Sequence, residues 1–168
     1  MTKLAFNVGT EAREDISAIH AVVAAAFNQN DEADLVDRLR DDGDLVLSLV
    51  ARSGDKIIGH IGFSRLFVET ATGEFVAVAL APVSVLPDWQ KKGVGSALIN
   101  AGHARLIETG EQLSIVLGEP AYYGKFGYSA DRAGQFDCDW SGPYLQALSW
   151  SDEAPSRGRL RYASAFLS

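Results

Sequence analysis

The chain is short of cysteine, of basic residues and of long apolar runs, and each shortage removes a class of function. A single cysteine, Cys138, among 168 residues allows no internal disulfide framework and no cysteine-ligated structural zinc. No uninterrupted apolar stretch approaches the ~18–20 residues that a membrane-spanning helix needs. The N-terminal stretch turns acidic at Glu11, too early for the apolar core of a secretory leader. A cytoplasmic protein is therefore expected. Lys and Arg number 15 against 22 Asp and Glu, a net charge of -7. That balance argues against broad binding to nucleic acid or to an anionic membrane.

What is present is the composition of an ordinary globular domain, 47% hydrophobic and 22% charged. The length fits one domain of the usual ~100–150 residues or slightly more, and residues 1–168 are read as a single unit. The acidity is uneven. Between Asp31 and Asp44 stand seven carboxylates and only two arginines, Arg38 and Arg40. Leu35, Val36 and Leu39 supply a buried stripe between them, so one reading is a solvated helix face. The other is a surface that attracts a cationic substrate.

Residues 4–8 alternate and predict a short strand. Residues 11–27 place acids in a first turn and Ile16, Ile19, Val22, Val23 and Ala26 at helical spacing. A shorter helix is expected over 32–40. Strands over 45–52, 56–69 and 74–86, joined by tight turns, read as an antiparallel meander. Residues 93–108 form an amphipathic helix with Val94, Ala97, Leu98, Ala101, Ala104 and Ile107 on one face. The apolar run 113–117 reads as a central strand covered on both sides. A short helix over 121–126, a strand-like 135–140, an irregular link and a last strand over 160–166 complete an α+β order.

The most informative stretch is 81–99: an apolar strand, the polar turn Gln90-Lys91-Lys92, then Gly93-Val94-Gly95 opening a helix. Glycine lets the backbone approach a ligand without a Cβ in the way. The first turn of a helix offers free amides and the positive end of its dipole, a ready anion site. Lys91 and Lys92 add positive charge there and Ser96 a hydroxyl. Two familiar nucleotide motifs are absent. A dinucleotide fingerprint needs a third glycine where Leu98 stands, and a P-loop needs a lysine before its hydroxyl residue where Gly95 stands.

Gln90-x-x-Gly93-x-Gly95, after the strand segment Val83-Ser84-Val85-Leu86-Pro87 and before a long helix, resembles the acyl-CoA motif of the GNAT superfamily of N-acetyltransferases. A second segment, Tyr122-Tyr123-Gly124-Lys125-Phe126-Gly127-Tyr128, resembles the family's aromatic segment. Together with the preceding Gly118-Glu119-Pro120-Ala121 it looks most like the YhbS-type members. The resemblance covers residues 4–128. It implies a mixed, mostly antiparallel sheet flanked by helices. Acetyl-CoA would be the cosubstrate, with no metal, and an amine the acceptor. Within it, amides of Lys91, Lys92, Gly93, Val94, Gly95 and Ser96 would hold the pyrophosphate. Backbone groups of Val83 and Val85 would pair with the pantetheine arm, where Pro82 already removes a ladder donor.

By the same resemblance Tyr123 is the general acid, its phenol protonated at neutral pH. The alternative for Tyr122, Tyr123 and Phe126 is a set of core aromatics. No general base is visible. His60 and Ser64 share one strand face, with Ser84 on a neighbouring strand. They and Glu119 are the acceptor-side candidates, His60 being equally readable as a structural histidine. His20 and His103 have no evident partner. Cys138 alternates with Phe136 and Trp140 and reads as a small core hydrophobe rather than a nucleophile. Replacing Gly93 or Gly95 by Val is expected to weaken CoA binding with little effect on folding. A homodimer is one assembly open to the chain, dimers being common among small enzymes. Two rivals stay open: a non-catalytic acyl-CoA sensor, and a nucleotide-dependent oxidoreductase on a doubly wound sheet.

Overall fold

A computed structural model describes residues 5–167. In chain order its elements are β1 (Asn7–Thr10), α1 (Ile16–Phe27), α2 (Asp31–Asp41), β2 (Leu45–Ser53), β3 (Lys56–Thr70), β4 (Gly73–Val85) and α3 (Val94–Glu108). There follow β5 (Leu113–Leu117), α4 (Pro120–Tyr123), α5 (Ala130–Ala133), β6 (Gln135–Asp137), β7 (Leu145–Ser149) and β8 (Arg157–Tyr162). The strands pair in the order β1-β2-β3-β4-β5-β7, with β8 on β3 and β6 on β8. The sheet is thus mixed and mostly antiparallel, as expected. Leu4, the first residue of the predicted opening strand, lies outside the described residues. The fold divides into two compact units. One comprises residues up to Gly62 with Pro82–Ala104, the other Phe63–Ala81 with Arg105 onward. β3 and β4 are each divided between the two.

In the first unit, α1 and α2 bury Ile19, Val22, Val23, Ala33 and Val36 against Val50 and Ile57. The helical spacing of these apolar residues is what puts them on one side. α1 ends at Asn28, whose left-handed backbone (φ 54°) is a common helix stop. α2 carries Asp31, Glu32 and Asp34 in its first turn and Arg38 and Arg40 in its last, the order that complements a helix dipole. α1 starts at Ile16, later than the predicted Glu11. The Asp15 carboxylate accepts the Ala12 N–H at 2.7 Å and pairs with Arg52, holding residues 13–15 in a 3₁₀ turn instead.

The predicted face of α3 is rotated. Val94, Leu98, Ile99 and His103 are buried, whereas Ala104 and Ile107 are exposed. Gly59 of β3 explains the contact face, because a Cβ there would lie 3.0 Å from Val94 and 3.1 Å from Leu98. Only a residue without a side chain lets α3 settle against the strand at this point.

In the second unit, β5 pairs in parallel with β4 (Val78↔Ser114, Ala79↔Ile115, Leu80↔Val116) and antiparallel with β7 over all five of its residues. Its central place matches its apolar run, although Leu117 at the end is exposed. The core here joins Leu66, Val68, Ala79, Ile115, Phe136, Ala147 and Leu160. The structure departs from the expected elements in this region. β7 occupies the supposed irregular link, and α5 was not foreseen. β6 stops at Asp137 rather than Trp140 because Ser141 takes over its backbone bonds. The Ser141 hydroxyl accepts the Cys138 N–H at 3.0 Å and donates to the Phe136 carbonyl at 3.3 Å. β8 begins earlier than predicted, at Arg157, and two of its outward arginines are paired: Arg159 with Asp137 and Arg161 with Glu74. Among the described residues no helix is long and apolar enough to cross a membrane.

Candidate active site

The loop before α3 has an unusual backbone. Lys91 (φ 63°) and Gly93 (φ 87°) are both left-handed, with Lys92 between them on the ordinary side. Alternation of this kind turns successive N–H groups into one concavity, which suits an anion. A left-handed lysine is sterically uncommon, and nothing in its residue type foretold it. At Gly93 an added Cβ would meet nothing within 4 Å, so this glycine answers to backbone handedness rather than to crowding. The Gly93 carbonyl accepts the Ala97 N–H at 3.0 Å and so joins the loop to α3. Gln90 donates from Nε2 to the Val85 carbonyl at 3.1 Å, tying the loop to the end of β4. Gln90, Lys91, Lys92 and Gly93 are exposed, while Val94 is buried and Gly95 and Ser96 are half-buried.

β4 continues beyond its last parallel rung at Leu80 as far as Val85. Pro82 has no N–H to offer a ladder. Val83 and Val85 are half-buried, and Ser84 is buried with its hydroxyl lacking a hydrogen-bond partner among the described residues. Gly59 was the residue missed here. Its signal was a glycine inside an otherwise apolar strand.

His60 is wholly buried and ends a polar chain within the first unit. Arg40 donates to both Glu11 carboxylate oxygens, at 2.9 and 2.8 Å. Burial alone would raise the Glu11 pKa, but Arg40 and Ser48 outweigh it and hold the group below the usual carboxylate value. The Ser48 hydroxyl therefore donates to Glu11 and accepts from His60 Nε2 at 2.8 Å. The chain of donors fixes the tautomer: Nε2 carries the proton and Nδ1 the lone pair. Burial lowers the His60 pKa to about 4, against the opposing pull of Glu11. At neutral pH this is an uncharged imidazole.

In the second unit Tyr123 sits at the end of α4, its ring lying over Gly118, where a Cβ would come within 2.5 Å of Cε2. Gly118 is itself held, donating to the Tyr144 carbonyl at 3.0 Å and accepting from Gln146 Nε2 at 2.9 Å. The ring makes edge contacts with Tyr122 and Tyr128, centroids 5.0 and 6.0 Å apart. Burial, with a smaller push from Tyr122, raises its pKa to about 12. The phenol thus stays protonated throughout the neutral range. Glu119 is exposed, and its carbonyl accepts the Tyr122 and Tyr123 N–H groups. Ser64 is wholly buried with its hydroxyl unpartnered among the described residues.

The acidic segment is less free than its charge suggests. His20 Nε2 bonds Asp34 at 3.0 Å and lies 3.8 Å from Asp37, which also takes Arg40 at 3.1 Å. His20, Asp34 and Asp37 bring three potential ligand atoms within 4.8 Å of one another, and the Asp37 carboxylate is already paired with Arg40 through Oδ1. Cys138 is half-buried and packs against the second core, consistent with a small hydrophobe.

Residues 9–130 match the family model described as an acetyltransferase (GNAT) domain. The uncharacterized N-acetyltransferase YjhQ of Escherichia coli (strain K12) is 37% identical over 130 residues, 76% of this chain and 72% of that protein. Among solved structures, a GNAT family acetyltransferase from Brucella melitensis in complex with acetyl-CoA superimposes with a TM-score of 0.82. It is 32% identical and the match covers 98% of this chain and 99% of that one. YhbS from Escherichia coli, solved in complex with CoA, gives a TM-score of 0.91 at 28% identity, over 100% of this chain and 95% of that one. The sequence match, the loop and the mixed sheet agree: the chain belongs to the GNAT acetyltransferase family.

Proposed function

We propose that the protein is an acyl-CoA-dependent N-acyltransferase that moves acetyl from acetyl-CoA to a primary amine by direct attack. The observation that carries this reading is the alternating backbone of residues 91–93 at the mouth of α3. It supplies main-chain donors for a diphosphate beside a strand end that Pro82 leaves short of a ladder donor. Amides of residues 91–96 hold the pyrophosphate, and Val83 and Val85 offer backbone groups to the pantetheine arm. The CoA and acetyl-CoA bound by YhbS and by the Brucella melitensis protein support the same choice of cosubstrate.

In the reaction the neutral amine nitrogen forms a bond to the thioester carbon, and the C–S bond then breaks. One proton must leave nitrogen and one must reach sulfur. Tyr123 gives its phenolic proton to the departing thiolate and regains one from the ammonium, directly or through water. With a pKa of about 12 it is a weak acid, so its proton moves as charge builds on sulfur rather than beforehand. His60, with a pKa of about 4, is poorly matched to the role of base.

Thiol release from acetyl-CoA across a panel of primary amines tests the reading. Turnover is expected, and Tyr123→Phe should lower kcat by about a hundredfold or more with the Kd for CoA unchanged. Across pH 7–10 the rate should rise with amine deprotonation and show no falling limb from Tyr123. CoA binding without turnover on any amine would favour a sensor, and failure to bind CoA would overturn the reading.

A further inference from the structure

Residues beyond 130, outside the stretch that matches the family model, raise three aromatic rings beside the β4/β5 pair. Trp140 meets Tyr162 edge-on with centroids 4.9 Å apart, and Tyr162 meets Phe166 at 5.5 Å. With Ala81, Ile115 and Leu117 they line a cavity of about 190 Å³ whose walls carry no charged side chain. Trp140 is 36% exposed and Leu117 48%, so large apolar groups remain uncovered at its rim. A cavity of ~150 Å³ lined by apolar side chains accepts benzene. This one has room for a single benzyl-sized group.

Its position connects it to the chemistry. Side chains alternate along a strand, so Ile115 and Leu117 share one face of β5 while Ser114 and Val116 share the other. The Ser114 hydroxyl bonds Tyr128 at 2.7 Å, and Tyr128 touches the ring of Tyr123. The Tyr123 ring also lies over Gly118, which directly follows Leu117, so the cavity lies at the same end of β5 as Tyr123 but on the opposite face. Nitrogen must reach the thioester carbon by a path that the departing sulfur and its proton donor do not occupy. Opposite faces of one strand end provide that separation.

We propose that this cavity is the acceptor subsite and that the acceptor is an arylalkylamine, a primary amine bearing one aromatic group. The inference rests on the acyltransferase reading above. Transfer would form the amide C–N bond, break C–S and leave one proton from nitrogen on sulfur. Polyamines and aminoglycosides are disfavoured, because their additional ammonium groups would lie desolvated against apolar walls.

The test compares 2-phenylethylamine with ethylamine. Wild type should favour 2-phenylethylamine in kcat/KM by about tenfold to a hundredfold. Trp140→Ala and Leu117→Ala should each bring that ratio several-fold closer to one. Leu117 is half-exposed, so its variant remains informative if loss of Trp140 unfolds the chain. Equal kcat/KM for the two amines, or a ratio unmoved in both variants, overturns the subsite but leaves the acyltransferase reading intact. Saturation-transfer NMR with 2-phenylethylamine in the presence of CoA is read independently of turnover. Contact with the phenyl protons that weakens in the variants is expected, and its absence in wild type overturns the subsite.

Discussion

Lys91 and Gly93 share a left-handed backbone but not its energetic cost, since a side chain in that region is strained by ~1–2 kcal/mol and glycine is not. The expectation that Gly93→Val would spare folding therefore needs revision. A β-branched residue at φ 87° should lower stability by about 1–2 kcal/mol before any ligand is added. Gly93→Asn, which tolerates this backbone, should melt close to wild type. Thermal melts paired with calorimetric CoA titrations check this: Asn is expected to separate affinity from stability, and Val to reduce both. Equal melting temperatures for Val and wild type would show that the loop relaxes. At this scale the loop was readable because glycine and lysine are the residues an anion turn needs. The handedness of Lys91 was not readable, because lysine carries no conformational signature. Nor were the partners of His60, since Glu11, Arg40 and Ser48 meet only after the chain has folded back on itself.

The seat of Tyr123 belongs to the scale of elements. α4 has only four residues, too few to hold a ring rigidly by helical bonding alone. Gly118 and the β7 side supply the rigidity, through the Gly118–Tyr144 and Gln146–Gly118 hydrogen bonds. Gly118→Ala would press a methyl against Cε2 of Tyr123 and displace the phenol. The expected result is a fall in kcat of about tenfold or more, an unchanged Kd for CoA, and shifted Tyr123 ring resonances. An unaltered kcat would mean that Tyr123 acts without a fixed position. β7 escaped the sequence because Gln146 interrupts its apolar pattern and serine flanks its end. Inside the fold Gln146 is buried and donates to backbone carbonyls, so the polar residue is a specific fastening. By contrast β3, β4 and β5 announced themselves through long β-branched and aromatic runs.

For the whole molecule, buried histidines set the response to acid. Burial lowers both His60 and His103 to about 4, against an ordinary 6.5. From pH 6.5 down to about 4 the unfolded chain takes up protons that the folded chain refuses, so stability falls as pH falls. Between pH 7 and 5, His60 should account for about 2 kcal/mol, with His103, nearer the surface, contributing less. Glu11 and Asp15, both held below their ordinary values, extend the loss to more acidic conditions, where their carboxylates are finally protonated. Melts at constant ionic strength should show Tm lower by about 4–8 °C at pH 5 than at pH 7. His60→Gln should flatten that slope whatever its absolute stability. A constant Tm across this range would show that both histidines accept protons in place.

The interleaving of the two units in the chain governs the order in which a growing polypeptide can complete them. The first unit has all its segments once Ala104 has emerged, whereas the second still lacks everything from Arg105. During that interval the far end of the β3–β4 hairpin, with Leu66, Val68 and Ala77, has neither β5 nor β8 to cover it. Strand edges left bare in this way are where nascent chains associate wrongly. Synthesis of residues 105–162 is thus the vulnerable period for this protein, and the pairing of β8 with the Leu66–Glu69 edge of β3 brings it to a close.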